Sequence, residues 1–239
     1  MATLVSIIIP VYNEVNFIEE TLQEVSLVRL DSLNLEKEII VVDDSSTDGT
    51  YEKLLQLKDK YPIVILRHEH NLGKGAALHT GFKHSKGEII IIQDADLEYS
   101  PEEYPNLLEP IIHGRADVVY GSRFVSSQAK RVLYFWHSVG NKFLTVLCNM
   151  VTDLNLSDME TGYKVFKSSI IKSLTLKEKR YGFEPEITAK ISKLARQGKC
   201  RIYEVGISYN GRSYSEGKKI TWIDGISALR CIIKYSLWD

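Results

Sequence analysis

Glu88-Ile89-Ile90-Ile91-Ile92-Gln93-Asp94-Ala95-Asp96-Leu97-Glu98 drives four consecutive isoleucines straight into three spaced acids. β-Branched side chains favour the extended backbone, and a run without a polar face belongs to a strand covered on both sides. Strands of that kind build parallel sheets flanked by helices. In such sheets ligands bind in the crevice beyond the strands' carboxyl ends. Asp94 and Asp96 therefore stand where chemistry is expected.

Similar runs recur at Val5–Val11, Glu38–Val42, Ile63–Leu66 and Asp117–Tyr120. Helical periodicity separates them, at Phe17 to Val28, Tyr51 to Leu57, Ala76 to Phe82 and Tyr104 to Ile112. Ser100-Pro101-Glu102-Glu103 marks a helix start, with proline in the first turn and acids at the positive end of the dipole. Strands alternating with helices through right-handed crossovers predict an α/β fold, a three-layer α/β/α sandwich around a mostly parallel sheet. After Gly121 the rhythm changes. Tyr134–Val151 predicts a helix rich in large apolar residues, Pro185–Arg196 another, Arg201–Tyr209 a strand and Thr221–Tyr235 a last helix. With no linker-like stretch and no internal repeat, residues 1–239 read as one domain with a C-terminal elaboration.

Of the 239 residues, 44% are hydrophobic and 26% charged, which excludes a disordered or collagen-like chain. No apolar stretch reaches the ~20 residues that span a bilayer. A strand follows the N-terminus without a basic leader, so a cytoplasmic location is expected. Cys148, Cys200 and Cys231 have neither disulfide-framework nor zinc-ligand spacing and fit a reducing compartment. The net charge of −1 hides a polarity: residues 1–155 carry 14 Lys and Arg against 22 Asp and Glu, whereas 156–239 carry 16 against 9. An acidic half suits a metal and a basic half suits phosphate. No nucleic-acid partner is expected.

Four strand ends carry polar groups. Pro10-Val11-Tyr12-Asn13-Glu14 follows the first, Asp43-Asp44-Ser45-Ser46-Thr47-Asp48-Gly49 the second, Asn71-Leu72-Gly73-Lys74-Gly75 the third and Asp94-Ala95-Asp96 the fourth. Acidic clusters converging on one crevice repel unless a cation compensates. Such hard oxygen ligands suit Mg²⁺ or Mn²⁺, which share substrate phosphates. Asp43 and Asp48 equally suit a helix cap. Gly73-Lys74-Gly75 opens a helix, where it can approach an anion or simply supply a tight turn. It lacks Walker A spacing, and no G-x-G-x-x-G follows the first strand, so a dinucleotide-binding reading loses its support.

Taken in order, Ile9-Pro10-Val11-Tyr12-Asn13-Glu14, Val42–Gly49, Asn71–Gly75, Gln93–Glu98 and Gly121-Ser122-Arg123 resemble the family-two glycosyltransferases of the GT-A fold. The closer resemblance is to the polyprenyl-phosphate (dolichol-phosphate) hexosyltransferases, and it spans nearly the whole chain. It implies a metal-dependent, inverting transfer of a hexose from a UDP- or GDP-sugar to a polyprenyl or dolichyl phosphate. Residue by residue, it implies that Pro10, Tyr12, Glu14, Val41 and Asp43 hold the nucleoside. Lys74, Asp94 and Ala95 would line the donor site, and Arg123 would meet the diphosphate. Asp96 would be the main ligand of Mg²⁺ or Mn²⁺, helped by Glu98 where mannosyl relatives commonly carry glutamine. Asp158, in Asp158-Met159-Glu160-Thr161-Gly162-Tyr163-Lys164, would face the acceptor, giving Asp94, Arg123 and Asp158 the catalytic roles. Arg212, Lys218 and Lys219, in the Gly/Ser-rich stretch Arg212–Ile220, would steady the acceptor phosphate. Residues 1–125 then form the nucleotide-sugar half and 126–239 the acceptor half.

The barrier to such a transfer is the charge growing on the departing diphosphate, which a cation and Arg123 would offset. A phosphate monoester, with a second pKa of about 6, is largely a dianion and needs cations more than a base. A sugar hydroxyl would need a base, Asp158 or Glu160. The basic half and the aromatic stretches Tyr134–Val151 and Trp222–Trp238 favour a lipid phosphate, met peripherally at the cytoplasmic face of a membrane. Core packing, a homodimer face or a membrane-anchor subunit compete to explain those stretches. The rival functions are transfer to a soluble or cell-wall glycan, silent nucleotide-sugar binding, and a receiver-like module. Receiver domains place their acidic pair after the first strand, not the second.

Overall fold

The computed structural model describes residues 2–125, 131–132, 134–212 and 222–238. Strands β1 (Thr3–Val11), β2 (Leu35–Asp43), β3 (Ile63–Arg67) and β4 (Ile89–Ile92) lie within three residues of their predicted bounds. Helices α1 (Ile18–Leu27), α2 (Thr50–Leu57) and α3 (Lys74–His84) connect them, and α4 (Tyr104–Ile112) leads into β5 (Val118–Ser122). The rest follows as α5 (Phe135–Thr152), β6 (Lys164–Lys167), α6 (Ser168–Ser173), α7 (Phe183–Arg196), β7 (Ile202–Gly206) and α8 (Trp222–Leu237).

Among the described residues the strands form one sheet in the order β3-β2-β1-β4-β6-β5-β7. β1 pairs parallel with β2 and β4, β2 with β3, and β5 with β7, while β6 runs antiparallel between β4 and β5. The isoleucines of β4 divide as a doubly covered strand requires. Ile89 and Ile91 join the core on one face with Ile7, Ile9, Val41 and Val119. Ile90 and Ile92 join the core on the other with Ile8, Val118 and Phe166. The predicted three-layer sandwich is the one observed.

β6 and α6 were not foreseen. Lys164-Val165-Phe166-Lys167 offers neither a long apolar run nor clear alternation. Tertiary packing forms it, with Val165 entering one core and Phe166 the other. Lys164 is buried there, its ammonium donating to the Thr161 carbonyl and lying 5.2 Å from the centre of the Tyr120 ring.

The chain leaves β1 towards β2 and β3, then returns to β1's other side for β4. That reversal opens a crevice at the carboxyl ends of β1 and β4. Among the described residues, no helix is long and apolar enough to cross a membrane.

Candidate active site

The crevice holds a cavity of about 550 Å³. One wall comes from Pro10, Tyr12 and Glu14 after β1 and from Asp94, Ala95, Asp96 and Glu98 after β4. Buried Gln93 fixes the second turn. Its carbonyl oxygen accepts the Tyr104 and Tyr163 hydroxyls at 2.7 Å each, and its amide donates to the Asp94 carbonyl at 2.9 Å. Leu97 adopts φ 58°, a costly conformation for a branched side chain that persists because the surrounding bonds dictate it.

The wall carries surplus negative charge. Burial, then Asp94 and Glu98, push the Asp96 carboxyl up to about 7. Arg212 answers it, with Nη2 3.1 Å from Asp96, Nη1 3.4 Å from Glu14 and Nε 3.9 Å from Glu98. Arg212 was expected at the acceptor phosphate; the structure instead lays it over the carboxylates. Both Glu98 oxygens are engaged, one accepting the Tyr209 hydroxyl and the other the Arg212 backbone N–H, each at 2.7 Å. Among the described residues no three potential ligands already form a metal cluster. As a donor set, crowded hard oxygens that now draw in a guanidinium fit Mg²⁺ or Mn²⁺.

Lys74 does not reach into open solvent for an anion. It lies 2.8 Å from Asp94 and 3.4 Å from Glu184. Burial disfavours its charge, but those carboxylates hold it well above the usual lysine range. The glycines beside it answer to packing. Gly73 has φ 101°, and a Cβ there would sit 2.5 Å from the Lys179 carbonyl; at Gly75 it would overlap the Glu178 carbonyl. The turn's amides are already bonded: Leu72 and Gly73 donate to Asp44 at 2.9 and 2.6 Å, and Ala76 donates to the Lys179 carbonyl at 3.0 Å. The tight-turn alternative therefore fits Gly73 and Gly75.

Arg123, at the end of β5, lines the opposite side of the cavity. Asp158 lies behind it, fully buried, accepting Nε and Nη2 at 2.6 Å each and the Arg123 backbone N–H at 3.1 Å. Asp158 was expected to face the acceptor. Both its oxygens are instead turned to Arg123, a bidentate grip that aims the guanidinium. Burial would lower the Arg123 pKa, but Tyr99 and Asp158 hold it well above the usual range. Two further expectations fail to reach the cavity: Val41 packs in the core, and Asp43 is fully buried, 3.3 Å from Arg67. Asp48 caps α2, accepting the Thr50 N–H at 3.0 Å. Lys218 and Lys219 lie outside the described residues.

Other lining residues escaped the sequence reading. Asp44, the first residue after β2, reaches the cavity, whereas Asp43 does not. Glu184, from α7's first turn, and Arg180, just before that helix, come from a distant part of the chain that nothing local announces. His137 and Asn141 line the cavity from α5, and their signal was legible: two polar residues four apart in an aromatic helix.

The glycosyl transferase family 2 profile matches residues 6–175. The chain belongs to that family. Within family 2 it is 31% identical, over 98% of its length, to the dolichol-phosphate mannosyltransferase of Pyrococcus furiosus, and spans 64% of that protein. It is 27% identical to the UDP-N-acetylglucosamine–dolichyl-phosphate N-acetylglucosaminyltransferase of Methanococcus voltae, covering 89% of this chain and 88% of that one. Glucosyl-3-phosphoglycerate synthase of Mycobacterium tuberculosis, solved with Mn²⁺, UDP and phosphoglyceric acid, shares the fold with a TM-score of 0.73. That match has 19% identity and covers 98% of this chain and 79% of the synthase. A GT-A-like fold is thus common to this family 2 chain and its structural neighbours.

Proposed function

We propose that this chain moves a hexose from a nucleotide-diphosphate sugar to a polyprenyl or dolichyl phosphate, with Mg²⁺ or Mn²⁺, at the cytoplasmic face of a membrane. The observation that carries this reading is the two-sidedness of α5. His137 and Asn141 turn into the cavity that Arg123 also lines. Trp136, Val139, Phe143, Val146 and Met150 are exposed on the opposite stripe, and Phe135 extends it. Neighbouring α8 exposes Ile226 and Ile233, and Trp238 just beyond its end is exposed as well. So large an apolar face, with Arg131 and Lys142 near it, suits a helix lying in the bilayer interface. One helix would then touch the lipid with one face and its phosphate with the other.

The site's acid–base chemistry points to the same acceptor. A dianionic phosphate needs no base, and neither acid that the sequence offered for that role is free to act as one. Asp158 is committed to Arg123. Burial, then Glu184, push the Glu160 carboxyl up to about 8, so at neutral pH it holds its proton. His137 and Asn141 would steady the incoming phosphate, Arg123 would meet the donor diphosphate, and Tyr12, Glu14 and Asp94 would hold the rest of the donor. A divalent cation held by Asp96, with Asp94 or Glu98 beside it, would supply neutralisation of the leaving diphosphate. The relatives' names agree with a lipid-phosphate acceptor.

The test offers UDP-glucose, UDP-N-acetylglucosamine and GDP-mannose, with Mg²⁺ or Mn²⁺, alongside undecaprenyl or dolichyl phosphate in anionic vesicles. A prenyl-linked phosphosugar and flotation of the protein with the vesicles are expected. Transfer confined to water-soluble acceptors would overturn the lipid assignment.

A further inference from the structure

Glu204 stands in the middle of β7, away from the cavity, paired in register with Tyr120 of β5. The bonds its carboxylate makes are to backbone. It accepts the Ser157 N–H at 2.9 Å and the Asp158 N–H at 3.1 Å, both through Oε1. The flanking amides of the same turn are also held by side chains. Leu156 N–H donates to Asn149 Oδ1 at 3.1 Å and Met159 N–H to Thr145 Oγ1 at 3.2 Å, both on α5. Four successive backbone donors are thus bound from outside. Glu204 supplies the charged acceptor among them, and hydrogen bonds to a charged group are the stronger kind.

That turn exists to present Asp158. Its carboxylate grips Arg123 through two 2.6 Å bonds, and Arg123 leaves directly from the end of β5. The path closes on itself: β5 carries Arg123, Arg123 meets Asp158, the Asp158 turn hangs on Glu204, and β7 pairs with β5, Ser122 opposite Gly206. Ser122 Oγ and Ser157 Oγ, 2.5 Å apart, brace the same ring. A guanidinium held in such a closed frame loses little freedom when it meets a phosphate. We infer that Glu204 is a positioning residue for Arg123, acting through the 157–158 amides. The inference rests on the proposed transfer only in taking Arg123 as a substrate contact.

Glu204→Gln keeps an accepting oxygen but loses the charge, so the fold should survive. With undecaprenyl phosphate and whichever of the three sugar nucleotides the wild type uses, kcat/KM should fall by about tenfold to a hundredfold. The melting temperature should move by only a few degrees. In an Arg123→Lys background, which keeps Asp158 neutralised but abolishes the fork, the same change should cost less than about twofold, because coupled residues are not additive. Equal losses in both backgrounds, or no loss in the wild type, would overturn the inference. A readout free of the reaction is hydrogen exchange at Arg123 Nε–H by NMR. Glu204→Gln should speed it at least about tenfold, and unchanged protection would count against the frame even if the acceptor proved to be something else.

Discussion

Two acidic turns, one after β2 and one after β4, look alike in sequence and behave oppositely in the fold. Asp44 is satisfied by the protein itself: it takes the Leu72 and Gly73 amides and lies 2.6 Å from His68 Nδ1. Asp94 and Asp96 are balanced mainly by the long side chains of Lys74 and Arg212. An amide fixed in a turn cannot leave its acceptor without unfolding the turn, whereas a lysine or arginine head can swing aside for an incoming ligand. What separates a structural acid from an exchangeable one is the kind of partner it has.

The sharpest way to break this contrast is Asp44→Ala. It strands the buried Gly73 amide, the half-buried Leu72 amide and His68, and should cost about 3–5 kcal/mol in chemical denaturation with no ligand present. A loss below about 1 kcal/mol would remove the distinction. Next comes Gly73→Ala, which must fit a methyl at φ 101° against the Lys179 carbonyl. A penalty of about 2–3 kcal/mol is expected in the same measurement.

Glu160→Gln probes a third kind of acid, buried without a full set of partners: its Oε1 accepts no hydrogen bond. Its folded value of about 8 lies above the ordinary 4.5, so the native state holds a proton that the unfolded chain releases. Stability should therefore fall as pH rises through that window. The amide variant should gain on the wild type by about 2.5 kcal/mol between pH 6 and pH 8.5. A constant difference across that range would exclude the protonated carboxyl. The smallest effect belongs to Asp96→Asn. Without ligand it should change stability by less than about 1 kcal/mol, since it loses an Arg212 contact and a repulsion together. It should nevertheless abolish the melting-temperature shift given by UDP or GDP with Mn²⁺. A shift retained at wild-type size would relieve Asp96 of its metal role.

The sequence was most informative where one element sufficed to fix the outcome. Four isoleucines ending in Gln-Asp-Ala-Asp announce both a doubly buried strand and the acids at its mouth, and both are where expected. Asp43 and Asp44 could not be told apart locally: one lies buried beside Arg67 and the other reaches the cavity rim, and only the packed loops decide which. The meaning of Gly73 and Gly75 could not be read locally, because the atoms that require them belong to residues 178–180. The Arg123–Asp158 pair was beyond reach for the same reason. It depends on a turn held by β7 and α5, and on β6, whose two lysines disguise it as surface.

The strand order has a consequence for synthesis. β1 to β3 find their neighbours as the chain emerges, but β4 still lacks β6, and β5 pairs only with β6 and β7, both translated later. Until Lys164 and Ile202 leave the ribosome, β4 and β5 each present an open border, and such borders invite pairing with other nascent chains. A fragment cut near residue 125 should therefore be an aggregating remnant, not a smaller working unit.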